Sequence, residues 1–178
     1  MPRRPALRAA AIVSAVLLAI IGWYLGSPLF IRTTANEPLP SVAVTATSAP
    51  SQSAIPNATP PVVGETPVTI LARGELQRVD DLHNGKGAVL LLRVGDPRFV
   101  RFDNIAITNA PDVHVYLSRE TGGRWNDATS LYLGPLKATN GSFNYDIPAG
   151  TDLAPYQSVV VWCRAFAVLV TWADLVPA

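Results

Sequence analysis

Cys163, His83 and His114 are the residues of this 178-residue chain with the softest and most versatile chemistry. A single cysteine cannot close an intramolecular disulfide, build a paired-thiol zinc site or attach haem through two thiols. Two histidines and a thiolate are in principle a copper donor set. A cupredoxin-type site, however, has a histidine shortly after the cysteine and an axial methionine; here no histidine follows Cys163, and the sole methionine is Met1. Serine-hydrolase elbows, phosphate-cradling glycine loops and zinc-protease motifs are absent. Asp80 and Asp81 are adjacent, so on an extended chain they point to opposite faces and cannot share a substrate. Asn104, Asn109, Asp112, Asn126 and Asp127 are oxygen donors without the fixed spacing of a calcium loop. No motif supports haem or a metal, and no cofactor is expected.

Cys163 closes the apolar segment Ser158–Cys163. On a strand its side chain shares a face with Val159 and Val161, while Trp162 and Arg164 project the other way. Arg164 is thus badly placed to activate the thiol. Two readings stay open: a core cysteine that behaves as a small hydrophobe, or a partly shielded active thiol. In Asp112–Ser118 the apolar Val113, Val115 and Leu117 alternate with Asp112, His114, Tyr116 and Ser118, the period of a half-buried strand. This predicts His114 as an exposed strand residue. His83, beside Asn84-Gly85, reads as a loop histidine.

Three segments must carry these residues. Ala9–Ile31 has no charge and lies between Arg8 and Arg32. At ~1.5 Å per residue it reaches ~34 Å, enough for a hydrocarbon core of ~30 Å. Arg3, Arg4 and Arg8 all precede it. The chain therefore reads as a single-pass cell-membrane protein: cytoplasmic tail 1–8, transmembrane helix 9–31 in the lipid bilayer, and the remainder outside the cytoplasm. A cleaved signal peptide is the competing reading, but the run is long for one, and Trp23 and Tyr24 resemble interfacial anchors. Outside the cytoplasm a lone thiol is exposed to oxidation, which favours a reactive role for Cys163.

Residues 32–67 hold seven of the 16 prolines, no aromatic residue and three charges, Arg32, Glu37 and Glu65. Such a stretch cannot bury enough apolar surface to offset its ordering entropy, and is expected to be a disordered linker. In residues 68–178 turn signals recur about every ten residues: Asn84-Gly85, Gly95 to Pro97, Asn109 to Pro111, Gly122-Gly123, Gly134-Pro135, Asn140-Gly141 and Pro148 to Gly150. Short strands so spaced predict an all-β domain, an antiparallel β-sandwich or barrel. Ala88–Val94 and Ser158–Cys163 read as central strands buried on both faces. With 14 basic and 13 acidic residues there is no electrostatic footprint for nucleic acid.

Several segments of residues 68–178 occur in an ordered series: Gly74, His83 to Gly87, Arg101 to Ile107, Ala110 to Ser118, Leu131 to Gly134, Leu136-Lys137, Asn140-Gly141, Asn144 to Pro148, Val159 to Cys163, Phe166 and Ala173 to Leu175. In that order and spacing the domain resembles the DM-thirteen family, the electron-transfer domain of Skeletor-type extracellular proteins and of membrane-anchored bacterial proteins. The resemblance covers about residues 72–175. It implies a β-rich domain in which Cys163 is a redox thiol, acting as an electron-transfer module rather than a classical enzyme; Trp162, Tyr116, His83 and Asp112 are the candidate neighbours of that thiol. Since family members often stand beside haem-binding domains and none is recognisable here, the implied electron partner is a separate redox protein. The alternative is a non-catalytic β-sandwich that binds a cell-surface ligand or protein, with Cys163 packed in its core.

Overall fold

The computed structural model describes residues 3–30, 32–41 and 66–178, with helical side chains from residue 8 to 24 and at 26 and 27. Helix α1, Arg3–Phe30, starts within the basic tail and runs through the apolar segment. Its apolar side chains, among them Ile12, Val13, Leu17, Leu18 and Ile21, are exposed. Among the described residues, no helix is long and apolar enough to cross a membrane.

Among the described residues the β-strands form two sheets. Sheet A has six strands in the order β1 (Thr34–Asn36), β7 (Asn140–Ile147), β4 (Arg98–Ile107), β3 (Gly85–Val94), β2 (Val68–Glu75) and β10 (Val176–Pro177). Sheet B has four, in the order β6 (Leu131–Pro135), β5 (Val113–Ser118), β8 (Ser158–Cys163) and β9 (Val168–Asp174). Pairing is antiparallel except between β1 and β7. The sheets face one another in a sandwich, as the turn spacing predicts.

Alternating apolar residues fill the space between them: Val89 and Leu91 from β3, Val100 and Phe102 from β4, and Phe143 and Tyr145 from β7 meet Val113, Val115 and Leu117 from β5 and Val159, Val161 and Cys163 from β8. Phe102 stacks on Phe143 with ring centroids 5.3 Å apart. The Tyr145 hydroxyl, pushed above its ordinary pKa by burial, donates to the Pro135 carbonyl at 2.9 Å and accepts from the Lys137 amide at 3.0 Å. It thereby fastens the β6–β7 connection to sheet A. As expected, β3 and β8 lie inside their sheets.

The expected linker begins later than residue 32. Thr34–Asn36 forms the edge strand β1, and Glu37 and Pro38 continue along β7. Composition hides this because the attachment uses backbone and charge rather than apolar side chains. The Glu37 carboxylate accepts from Lys137 Nζ and from the Asn144 amide, both at 2.9 Å, while Arg101 donates to the Glu37 and Pro38 carbonyls at 3.3 Å. Burial alone would raise the Glu37 pKa, but Lys137 and Asn144 together hold it below its ordinary value. Gly141 permits the close approach: at φ +105° a Cβ there would collide with the Ala35 carbonyl. The remainder of the expected linker, 42–65, lies outside the described residues.

Candidate functional site: the outer face of sheet B

Strand β5 alternates as its sequence predicts, yet all six residues are buried. His114, expected to face water, is only 8% exposed, and Tyr116 only 1%. The cover is the long β5–β6 connection, which folds back across the outer face. Ser118 Oγ donates to the Arg124 carbonyl at 2.9 Å, and Ser158 Oγ to the Glu120 carbonyl at 2.6 Å. Gly122 N donates to Asp174 at 2.9 Å. At Gly123, φ +75°, the backbone lies so close to β9 that a Cβ would stand 2.5 Å from Leu169 Cδ2. Two serines on the outward faces of paired strands, opposite one another in register, thus hold a loop over hydrophobic rings.

Those rings touch in series. Trp125, carried in by the loop, meets Trp162 with centroids 5.2 Å apart and Tyr116 at 4.4 Å. Tyr116 meets Tyr132 of β6 at 5.3 Å, and Tyr132 meets the His114 ring at 5.6 Å. A register shift between Val115 and Tyr116 sets Tyr116 directly opposite Tyr132. Irregularities of this kind re-aim side chains beside functional sites. Arg164, in the β8–β9 turn, holds its guanidinium 4.7 Å from the Tyr132 centroid and 5.6 Å from that of Tyr116.

Polar contacts order the edge of this cluster. His114 Nδ1 lies 2.8 Å from the Tyr132 hydroxyl and His114 Nε2 lies 2.6 Å from Asp112 Oδ1. Asp112 sits at φ +60°, a left-handed conformation that aspartate adopts more readily than most residues. Its carbonyl accepts from the Arg164 amide at 3.0 Å, pinning the turn that delivers the guanidinium. Arg164 Nε donates to the Tyr116 hydroxyl at 2.7 Å. Burial raises the Tyr116 pKa although the Arg164 hydrogen bond pulls the other way, so the phenol stays protonated at neutral pH.

Cys163 lies on the opposite side of the same sheet. It pairs in register with Val113, both facing the inter-sheet core, whereas the next pair, His114 and Trp162, faces outward. Its exposure is 0%, and its thiol donates to the Pro111 carbonyl at 2.8 Å. The partly shielded thiol that the family resemblance suggests is thus fully enclosed. Sheet B itself separates Cys163 from His114, so a two-histidine copper site is not assembled. His83 sits in the β2–β3 loop with Nδ1 2.8 Å from Asp80, and its side-chain hydrogen bond holds the exposed Asp80 carboxyl below its usual range. Among the described residues, no three or more His, Cys, Asp or Glu converge to hold a metal ion.

Of Cys163 and its expected neighbours, Trp162, Tyr116 and Asp112 come together; Cys163 and His83 do not join them. Tyr132, Trp125, Arg164 and His114 complete the cluster. A tryptophan within the otherwise polar loop Arg119–Ser130 was the available signal, since a large ring there needs a hydrophobic surface to cover.

Comparison with protein families matches residues 76–175 to the model described as "Electron transfer DM13". The chain belongs to the DM13 family. Its match spans the sandwich from just after β2 to the end of β9, and so contains the whole aromatic face and Cys163. Comparisons with curated proteins and with solved structures find no match.

Proposed function

We propose that this DM13 protein is a membrane-tethered, extracytoplasmic electron-transfer module whose redox surface is the outer face of sheet B. The observation that carries the reading is the unbroken series Trp162, Trp125, Tyr116, Tyr132, with successive centroids 5.2, 4.4 and 5.3 Å apart. Indole and phenol rings lose an electron more easily than any side chain except the thiol, and rings in contact exchange an electron faster than isolated ones. Tyr132, at 45% exposure, is one end of the series, and the half-buried Trp125 and Trp162 at the other end are where a partner exchanges electrons. That partner is a separate redox protein. Cys163 serves the core beneath: its thiol packs among valines and ties β8 to Pro111.

The anchor is α1. Support for it comes from the uncharged run Ala9–Ile31, from the wide arc of exposed apolar side chains on the helix, and from Arg3, Arg4 and Arg8 at one end, a bias that favours a cytoplasmic N-terminus. The burial of Cys163 favours a second reading, a non-catalytic binding sandwich at the cell surface.

One experiment separates the two. The full chain in detergent, with Trp23→Phe to silence the Trp23–Tyr24 pair of α1, is oxidised at tryptophan by pulse-generated azide radical. An electron-transfer face converts the tryptophan radical to a tyrosyl radical by first-order kinetics independent of protein concentration, and Trp125→Leu slows that conversion several-fold. Tryptophan radicals that decay only bimolecularly would sink the electron-transfer reading and leave the binding sandwich.

A further inference from the structure

Two tyrosines lie side by side in the aromatic series, but their hydroxyls differ. Tyr116 is buried and its oxygen accepts from Arg164. Tyr132 is half exposed and its hydroxyl meets His114 Nδ1 at 2.8 Å. On the far side of the imidazole, Nε2 is 2.6 Å from Asp112. An ionised carboxylate only accepts hydrogen bonds, so the neutral imidazole carries its proton on Nε2 and leaves the Nδ1 lone pair for the Tyr132 O–H. With the imidazole neutral, the Tyr132 hydroxyl donates to His114 Nδ1 and His114 Nε2 donates to Asp112.

We infer that Tyr132 is a proton-coupled redox residue, with His114 as its proton acceptor and Asp112 as the positioning residue that holds the imidazole. The inference rests on the electron-transfer reading above and specifies where the electron hole comes to rest. On oxidation Tyr132 loses one electron, through Tyr116 and Trp125, to a one-electron oxidant, the oxidised metal centre of a partner protein. The O–H bond breaks, the proton passes to His114 Nδ1, and the products are a neutral tyrosyl radical, an imidazolium and the reduced oxidant. Asp112 stabilises the imidazolium as a carboxylate does in other histidine pairs. When an electron returns, the proton returns with it, so nothing is exchanged with solvent.

Arg164 favours the coupling. A guanidinium 4.7 Å above the Tyr132 ring is attracted by the neutral ring but repelled by a ring that has lost an electron and kept its proton. Moving the proton to His114 takes the positive charge off the ring and sets it beside the Asp112 carboxylate, which lowers the repulsion. Tyr116 feels the same guanidinium, but among the described residues its hydroxyl meets the donor Arg164 and no base, which makes it a conduit rather than a resting place.

The test uses the full-length Trp23→Phe chain and the azide radical, read by transient absorption and by electron paramagnetic resonance. The tyrosyl signal should vanish in Tyr132→Phe, persist in Tyr156→Phe, and form more slowly in D2O. His114→Ala should slow its formation by roughly 10²-fold, the low end of what a general base contributes, and added imidazole should restore much of the rate. Asp112→Asn, which suits the left-handed backbone and keeps the shape, should fall between the two and lose stability only slightly. A tyrosyl radical that survives Tyr132→Phe, or that forms at the same rate in D2O, in Asp112→Asn and in a folded His114→Ala, would overturn the relay while leaving the aromatic route intact. Absence of any tryptophan-to-tyrosine transfer in the unaltered series would instead overturn the route itself.

Discussion

Replacing Cys163 by alanine removes a sulfur from a site with no solvent exposure and takes the donor away from the Pro111 carbonyl. The carbonyl left short of a donor costs ~1–3 kcal/mol. The lost packing adds about as much as one buried methylene, ~0.8 kcal/mol. The sum, ~2–4 kcal/mol, corresponds to a fall in Tm of roughly 10–20 °C for a domain of about 100 residues. Serine keeps a donor for Pro111 and should cost ~1 kcal/mol. Alkylation of the wild-type thiol then requires opening of the sandwich, so iodoacetamide should label the native chain at least ~10³-fold more slowly than the unfolded one. Tryptophan-to-tyrosine transfer should persist in Cys163→Ser. Rapid native labelling, or loss of that transfer in a Cys163→Ser chain of native stability, would refute the assignment and return the redox role to the thiol.

Other consequences are open to simpler measurements. The depressed Glu37 pKa means that its attachment of residues 33–38 is fully present above the ordinary value of 4.5 and is lost as pH falls through the lower folded value; protease cleavage within 33–38 should increase over that acidic range, and Glu37→Gln should cut more readily already at neutral pH. Gly123→Ala combines positive φ with a Cβ 2.5 Å from Leu169, so it should cost ~1–3 kcal/mol, lift the loop and shift tryptophan fluorescence to the red; unchanged fluorescence would show that Trp125 does not depend on this contact. Protease added to intact spheroplasts should remove the sandwich, and its protection would contradict the proposed topology.

Strands were legible where one periodicity decides them. The alternation of Val113, Val115 and Leu117 marks β5, and the apolar runs at Ala88–Val94 and Ser158–Cys163 mark strands flanked on both sides. Periodicity also placed Cys163 and Trp162 on opposite faces. It could not tell which outward face would be covered, because that depends on a loop whose fold is fixed by long-range bonds from Ser118 and Ser158 to the carbonyls of Arg124 and Glu120. Periodicity therefore predicts an exposed His114, and its two partners, one on the next strand and one at a left-handed turn, carry no periodic signal. The strap at Thr34–Glu37 was missed for a related reason: a proline-rich stretch without aromatic residues lacks a core signature, and this one is held by backbone pairing and by Glu37.

The resting place of the electron hole can be read directly by freezing the full Trp23→Phe chain after one-electron oxidation and recording its paramagnetic resonance spectrum with ring-deuterated tyrosine. An aromatic electron route ending at Tyr132 gives a tyrosyl spectrum that narrows on ring deuteration and disappears in Tyr132→Phe. A sulfur-centred radical that disappears in Cys163→Ser would contradict it.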